Sequence, residues 1–135
     1  MCSDRKSFIY NIKNKDEHDE ITRQGGYYIW RYLRTKGRGV IINVGSQATQ
    51  MAGPGGSAYV TSKHAVLGFT KQLAFDFGSQ GIKVNILSPG FIETPMTDGI
   101  EDERLNRIPA KRAGKPEEIA ALAVFLVCMA RTSLW

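Results

Sequence analysis

The segment Val40-Ile41-Ile42-Asn43-Val44 constrains the fold of this 135-residue chain more than any other feature of the sequence. It is almost wholly apolar and rich in β-branched residues, with no alternation between apolar and polar side chains. Such a segment is typical of a strand that is buried on both faces of a parallel sheet. The segment therefore predicts an α/β fold in which helices cover both faces of the sheet.

The residues after this strand predict a helix and then a second strand. Apolar residues recur at three- and four-residue spacing over residues 57–77, which indicates a long helix. Residues 82–87 form another strand-like run, and Ser88-Pro89-Gly90 ends it. Because parallel strands need a crossover connection, we expect a right-handed strand–helix–strand unit. A last helix is predicted to begin at Pro116, a favourable first residue, followed by two glutamates at the positive end of the helix dipole.

The N-terminal part of the chain is less regular. Residues 1–20 carry both charges without a clear period, so we predict a weakly structured segment there and the structured region over residues 21–135. Within that region, residues 27–33 show a helical pattern that Gly37 and Gly39 end. The strands over residues 40–44 and 82–87 would each have an apolar edge without a neighbouring strand, which invites pairing with another chain.

Composition excludes several classes of protein. The chain has 18 Lys and Arg against 13 Asp and Glu, but these charges are interspersed and no aromatic–basic platform for nucleic acid accompanies them. No apolar run reaches the roughly 18 residues that span a bilayer, and the polar N-terminus lacks the apolar core of a secretory signal. We therefore expect a cytoplasmic protein that binds neither nucleic acid nor membranes. Cys2 and Cys128 lie far apart, so neither a disulfide framework nor a metal site is predicted.

Tyr59 and Lys63 stand one helical turn apart at the start of the long helix, and this pair points to proton-transfer chemistry. A phenol ionises near pH 10, which is too high for an efficient base at neutral pH. An ammonium about 6 Å away, at an effective dielectric constant of about 20, favours a phenolate by roughly 2.8 kcal/mol, or about two pKa units. The i, i+4 spacing supplies a separation of about that size. The alternative is an ordinary pair of helix residues.

A second Tyr-x-x-x-Lys sequence, Tyr32 to Lys36, has the same spacing, so the spacing alone is weak evidence. Context separates the two pairs. Thirteen positions before Tyr59 lies Ser46, at the end of the first predicted strand, whereas thirteen positions before Tyr32 lies Asp19, with no strand beside it. A serine at the carboxyl end of a parallel strand could hydrogen-bond a substrate carbonyl, in the crevice where open α/β sheets bind ligands.

These residues, together with two later segments, resemble the short-chain dehydrogenase/reductase family. The two segments are Asn85-Ile86-Leu87-Ser88-Pro89-Gly90-Phe91-Ile92-Glu93-Thr94 and Lys111-Arg112-Ala113-Gly114-Lys115-Pro116-Glu117-Glu118. The resemblance covers residues 37–126 in the family's order. It implies a partial Rossmann-like, doubly wound parallel sheet. It also implies hydride transfer between a nicotinamide cofactor, NAD or NADP, and a small-molecule carbonyl/alcohol substrate.

The resemblance further implies roles for individual residues. Tyr59 would be the general acid/base and would also contact the cofactor. Lys63 would assist Tyr59 and hold the nicotinamide ribose hydroxyls, and Ser46 would orient and polarise the substrate carbonyl. The nicotinamide end of the cofactor would be contacted by a loop that includes Pro89, Gly90, Ile92 and Thr94. No metal is implied.

The sequence departs from the family's pattern before Ser46. The family's glycine-rich phosphate turn is not found there, and the asparagine of its proton relay does not occur around residues 20–26. Gly53-x-Gly55-x-x-Ala58 fits a dinucleotide-binding pattern, but that pattern needs its first glycine just after the strand, and six residues separate Ser46 from Gly53. We interpret these glycines as shaping a loop on the substrate side. The chain is thus predicted to hold the C-terminal, catalytic half of the family's fold without its N-terminal cofactor-binding half.

Two functional hypotheses follow from the resemblance. The first is an NAD(P)-dependent oxidoreductase of the short-chain type that uses a tyrosine as general acid/base. The second is a catalytically inactive fragment that acts only through association with other subunits, as a homo-oligomer or by pairing with a full-length homologue. The helices over residues 27–33 and 57–77 correspond to those through which family members commonly pair.

Overall fold

The computed structural model describes residues 8–10, 38–53, 55–95, 97–99 and 103–129. The strands are β1 (Phe8–Tyr10), β2 (Gly39–Val44) and β3 (Ile82–Leu87), and the α-helices are α1 (Gly56–Phe77), α2 (Glu103–Arg107) and α3 (Pro116–Met129). Single 3-10 turns follow β2 (Gln47–Thr49) and α1 (Gly78–Gln80). The two predicted strands, the long helix and the start of the last helix are confirmed to within one residue. The helix predicted over residues 27–33 lies outside the described residues.

The three strands form one parallel sheet in the order β1-β2-β3, with β2 at its centre. Val44 lies beside Leu87 in the register of β2 with β3, and Phe8 lies beside Ile41 in the register of β1 with β2. The predicted open edge of β2 is wrong, because β1 pairs with it. β1 lies within residues 1–20 and was not predicted, since three residues are too few to show a period. The other residues of that segment are not among those described.

Helices pack on both faces of β2, as the apolar sequence of this strand predicts. On one face, β2 and β3 pack against α1 in a cluster formed by Ile41, Leu73, Ile82, Phe69, Phe77 and Val84. On the other face, they pack against α3 in a cluster formed by Val40, Ile42, Leu87, Ala123, Ile119, Leu126 and Val127. The predicted doubly wound arrangement is therefore confirmed for this part of the sheet.

One buried polar contact joins α1 to β2. The Asn43 side-chain amide donates to Thr70 Oγ1 at 2.8 Å, and Thr70 Oγ1 donates to the Val66 carbonyl at 2.7 Å. The Asn43 and Thr70 side chains are both buried. Because a hydrogen bond in an apolar interface is directional, this contact selects one placement of α1 along the strand where apolar packing alone would tolerate several.

Ile42→Ala is expected to lower the free energy of unfolding by about 2–5 kcal/mol, because it opens a cavity between β2 and α3. The Ile42 side chain is 0% exposed. Phe75→Ala is the control, since Phe75 is 82% exposed and its loss should change stability by no more than about 0.5 kcal/mol. Urea unfolding followed by circular dichroism measures both changes. A larger loss for Phe75→Ala than for Ile42→Ala would contradict the burial of β2 on its α3 face.

Candidate active site

Ser46 begins the turn that follows β2, and residues 46–49 are named the Ser46 turn. The Ser46 backbone is extended (φ −164°, ψ 167°), and its Oγ accepts a hydrogen bond from the Ala48 N–H at 3.2 Å. A serine hydroxyl has one proton to donate and two lone pairs that accept. Because the Ala48 contact uses Oγ only as an acceptor, the hydroxyl proton can still be donated to a carbonyl oxygen.

The first turns of α1 bring the Tyr59 and Lys63 side chains together. Lys63 Nζ lies 5.6 Å from the centre of the Tyr59 ring, which is within the range of a cation–π contact. Lys63 is only 8% exposed, and this burial lowers the pKa of its ammonium group, because the charged form loses hydration. Tyr59 is half-buried. The pair thus places a positive charge that is partly withdrawn from water over the face of a phenol ring.

Gly55 allows the Tyr59 ring to lie against the start of α1. Its φ of +115° is a backbone conformation that L side chains rarely adopt. A Cβ at this position would lie 2.6 Å from Tyr59 Cδ1 and 3.0 Å from Tyr59 Cγ. The sequence indicates only a glycine that shapes a loop, and its contact with the Tyr59 ring becomes visible once α1 is folded.

The Ser46 turn lies beside the loop that follows β3. The Gln47 N–H donates to the Pro89 carbonyl at 2.8 Å, and α1 contacts the same turn. Ser46 and Pro89 therefore lie close together at the carboxyl ends of β2 and β3, which form one end of the sheet. Among the described residues, no hydrogen bond joins the side chains of Ser46 and Tyr59.

The chain after Gly90 is held by a different set of contacts. Ile92 forms a parallel bridge with Gly114, just before α3. Thr97 Oγ1 donates to the Ile92 carbonyl at 2.6 Å and accepts from the Thr94 N–H at 2.9 Å. Thr97 was missed by the sequence analysis, because no local pattern marks a hydroxyl that bonds backward to Ile92. Ile92 and Thr94 are thus placed by Gly114 and Thr97.

An ion pair fastens the segment that precedes α3. Both terminal nitrogens of Arg112 donate to the Glu118 carboxylate, at 2.8 and 2.7 Å, and the Lys115 N–H donates to it at 2.7 Å. The Arg112 hydrogen bonds, and then the Lys115 N–H, lower the pKa of Glu118 from 4.5 to about 2. The carboxylate also satisfies a free N–H at the start of α3, next to the Gly114 bridge that holds Ile92.

Neither a metal cluster nor a membrane span is found in the described part of the chain. No group of three or more His, Cys, Asp or Glu side chains there could hold a metal ion. No helix there is long and apolar enough to cross a membrane.

Gly55→Ala is expected to lower the free energy of unfolding more than Gly56→Ala. Both glycines have positive φ, so each substitution introduces backbone strain of about 1–3 kcal/mol. A Cβ at Gly55 also overlaps the Tyr59 ring, whereas nothing lies within 4 Å of a Cβ at Gly56. Urea unfolding of the two variants compares the losses. Equal losses would contradict the close contact between Gly55 and the ring.

The stabilisation that Glu118 provides is expected to depend on pH. Its pKa is about 2 in the folded chain and 4.5 without its partners, so its contribution is complete above pH 4.5 and is lost as the pH falls towards 2. The difference in unfolding free energy between wild type and Glu118→Gln should therefore shrink over that interval. Glu117→Gln is the matched control, because it removes a carboxylate from the same turn and keeps the Arg112 contact. A Glu118→Gln difference that stays constant down to pH 2 would overturn this prediction.

Comparisons with known proteins identify relatives of the chain. A family model described as enoyl-(acyl carrier protein) reductase matches residues 27–133. The 3-oxoacyl-(acyl-carrier-protein) reductase of Vibrio harveyi is 43% identical over 102 residues, which are 73% of this chain and 42% of that protein. The 2-(R)-hydroxypropyl-CoM dehydrogenase of Xanthobacter autotrophicus is 44% identical over 101 residues, which are 70% of this chain and 40% of that protein.

The fold has counterparts among solved structures. The crystal structure of a gluconate 5-dehydrogenase from Burkholderia cenocepacia, in complex with NADP and tartrate, matches 97% of this chain and 58% of its own, with a TM-score of 0.72 and 26% sequence identity. This chain spans about two fifths of the length of the two curated relatives. Since the family model covers most of the chain and the folds agree, the chain belongs to the short-chain dehydrogenase/reductase family.

Proposed function

We propose that this chain carries the catalytic half of an NAD(P)-dependent oxidoreductase. The reaction is hydride transfer between the nicotinamide of NAD or NADP and the carbonyl or alcohol carbon of a small-molecule substrate. The observation that carries the proposal is the arrangement at the carboxyl ends of the strands. There Ser46 follows β2, Pro89 and Gly90 follow β3, and α1 contacts the Ser46 turn. Open α/β sheets bind their ligands at this end.

Tyr59 is proposed as the general acid/base. A proton must reach the substrate oxygen when a carbonyl becomes an alcohol, and a phenol needs assistance to exchange that proton at neutral pH. The Lys63 ammonium supports this role, because it is buried and lies 5.6 Å from the ring centre. Its attraction to the phenol grows as the phenol loses its proton. Gly55 contributes by leaving room for the ring against the backbone.

Ser46 is proposed to orient and polarise the substrate carbonyl. Its Oγ accepts from the Ala48 N–H, so its O–H is the group that meets the carbonyl oxygen. A donor that is already in place stabilises the negative charge that develops on this oxygen without reorganising during the reaction. The backbone bond from Gln47 to Pro89 supports the direction of this donor, since it ties the Ser46 turn to the neighbouring loop.

The described residues fit the nicotinamide end of a dinucleotide. Gly90 is exposed, and a Cβ there would meet only Gln47 Oε1, at 3.9 Å, so the backbone of this loop is open to a planar ligand. Lys63 would hold the ribose hydroxyls, and the carboxamide would be contacted by Pro89, Gly90, Ile92 and Thr94. The cofactor, when bound, donates or accepts the hydride. The NADP held by the related gluconate 5-dehydrogenase supports this class of cofactor.

The relatives also support the proposed class of substrate. One is named for a 3-oxoacyl group and another for a 2-(R)-hydroxypropyl group, so a carbonyl and an alcohol are both represented. This chain covers 42% and 40% of those two proteins. Because this chain covers less than half of those proteins, their activity is proposed for it on the basis of its own residues at the carboxyl ends of β2 and β3.

Association without catalysis is the second candidate function, in which the chain pairs with another copy or with a full-length homologue. It is favoured by apolar side chains that the helices leave exposed, namely Phe75 on α1 and Leu122, Val124 and Phe125 on α3. Single exposed apolar residues are ordinary, but several on one helix are typical of a contact surface. Calorimetry with NADPH and with NADH separates the candidates. Binding supports the oxidoreductase, whereas no binding together with concentration-dependent assembly in light scattering supports association.

Tyr59→Phe is expected to lower kcat for NADPH-dependent reduction of a panel of ketones and 3-oxoacyl thioesters by about 10²–10⁴-fold. The reason is that the phenolic proton is lost while the ring and its contact with Lys63 are kept. Affinity for NADPH, measured by calorimetry, should change little.

Tyr32→Phe is the matched control, because it makes the same chemical change in the second Tyr-x-x-x-Lys sequence. This variant should keep the turnover of the wild type. If Tyr59→Phe also kept it, Tyr59 would not be the general acid/base.

A further inference from the structure

Thr49 is a fully buried polar residue to which the proposed mechanism gives no role. Its side chain is 0% exposed, and its Oγ1 lies 3.0 Å from Ser88 Oγ. Ser88 is exposed at the start of the loop that follows β3. A buried hydroxyl needs a hydrogen-bond partner, and Ser88 Oγ is that partner for the Thr49 hydroxyl.

Two backbone hydrogen bonds accompany this side-chain contact. The Gly45 N–H donates to the Leu87 carbonyl at 2.7 Å, and the Gln47 N–H donates to the Pro89 carbonyl at 2.8 Å. These two bonds and the side-chain bond form what we name the strand-end link. The backbone bonds continue the pairing of β2 with β3 past the end of both strands, and the side-chain bond extends it to the last residue of the Ser46 turn.

The space around Thr49 also restricts its side chain. A Cβ at Gly45 would lie 2.6 Å from Thr49 Cγ2, so the methyl group occupies a space that only a glycine leaves open. A β-branched side chain has few rotamers, so the methyl contact and the hydroxyl bond together fix its orientation. Serine at this position would keep the hydroxyl, and valine would keep the shape. These two substitutions therefore separate the hydrogen bond from the packing.

We propose that Thr49 and Ser88 are positioning residues whose hydrogen bond holds the Ser46 turn and residues 88–90 in one relative placement. Under the proposed function, Ser46 meets the substrate carbonyl and residues 89–90 meet the nicotinamide. Their placement then sets the approach of the carbonyl carbon to the transferred hydride, and reaction rates depend steeply on such distances. The catalytic consequence rests on the proposed function, whereas the link itself does not.

Amide hydrogen exchange tests the link without any activity. In the full chain, Thr49→Val and Ser88→Ala are each expected to raise exchange of the Gln47 N–H by about 5-fold or more relative to that of Leu73 in α1. Ser88→Ala should have the larger effect, because it leaves the buried Thr49 hydroxyl without its partner, whereas the exposed Ser88 can bond water. Thr49→Ser should keep the ratio of the wild type.

Thr70→Val is the matched control for this measurement. It makes the same change at another buried threonine, whose hydroxyl bonds Asn43 on β2. It is expected to destabilise the chain without raising the exchange of Gln47 relative to Leu73. An unchanged ratio in both Thr49→Val and Ser88→Ala would overturn the proposal.

Kinetics test the consequence for the reaction. Thr49→Val and Ser88→Ala should each lower kcat for carbonyl reduction by between about 10- and 100-fold and raise the KM for NADPH. Thr49→Ser should keep the kcat and the KM of the wild type. The double variant Thr49→Val/Ser88→Ala should lose no more activity than Ser88→Ala alone, because the two changes remove the same hydrogen bond. A purely structural role would lower the active fraction and leave the KM unchanged.

The exchange experiment and the kinetic experiment distinguish failure of the link from failure of the proposed function. A wild-type chain that neither binds nor uses NADPH or NADH refutes the proposed function, and the exchange ratios then decide the link by themselves. A wild-type chain that is active, with additive effects in the double variant, overturns the coupling between Thr49 and Ser88.

Discussion

The burial of β2 on both faces is the constraint on which the rest of the described structure depends. Successive side chains of a strand point to opposite faces, so Val40 and Ile42 pack towards α3 while Ile41 packs towards α1. A shift of the strand by one residue would exchange these two sets of contacts and would turn Asn43 away from Thr70 on α1. Ser46 lies two residues after the end of β2, so the apolar packing of that strand fixes the position of Ser46 without contacting it.

Hydrogen bonds supply the direction that apolar packing lacks. The bond from Asn43 to Thr70 places α1 along β2, and with it the helix that carries Tyr59 and Lys63. The bond between Thr49 and Ser88 places the loop after β3 beside the Ser46 turn. In both cases a polar side chain, in β2 or in the turn that follows it, stabilises one arrangement among those that apolar packing would allow. The proposed chemistry depends on this choice, since proton and hydride transfer need a defined geometry.

Local patterns predicted β2, α1, β3 and the start of α3, because the spacing of apolar residues along a helix or strand depends only on neighbouring positions. The approach of Lys63 to Tyr59 could be predicted for the same reason, since residues four apart share a helix face. β1 could not be predicted, because its three residues become a strand only by pairing with β2. Thr97 was also missed, since its role depends on a loop that folds back onto it.

By itself the sequence determined which reactive groups are present and their order: a hydroxyl after a buried strand, a phenol and an ammonium one helical turn apart, and the family to which they belong. Only the tertiary structure decided which other residues serve those groups. Gly55 makes room for the Tyr59 ring, and Ser88 satisfies the buried Thr49 beside Ser46. The physical reason is that these relations depend on the direction of each side chain and on contacts between separate elements, and no periodicity in the chain encodes either.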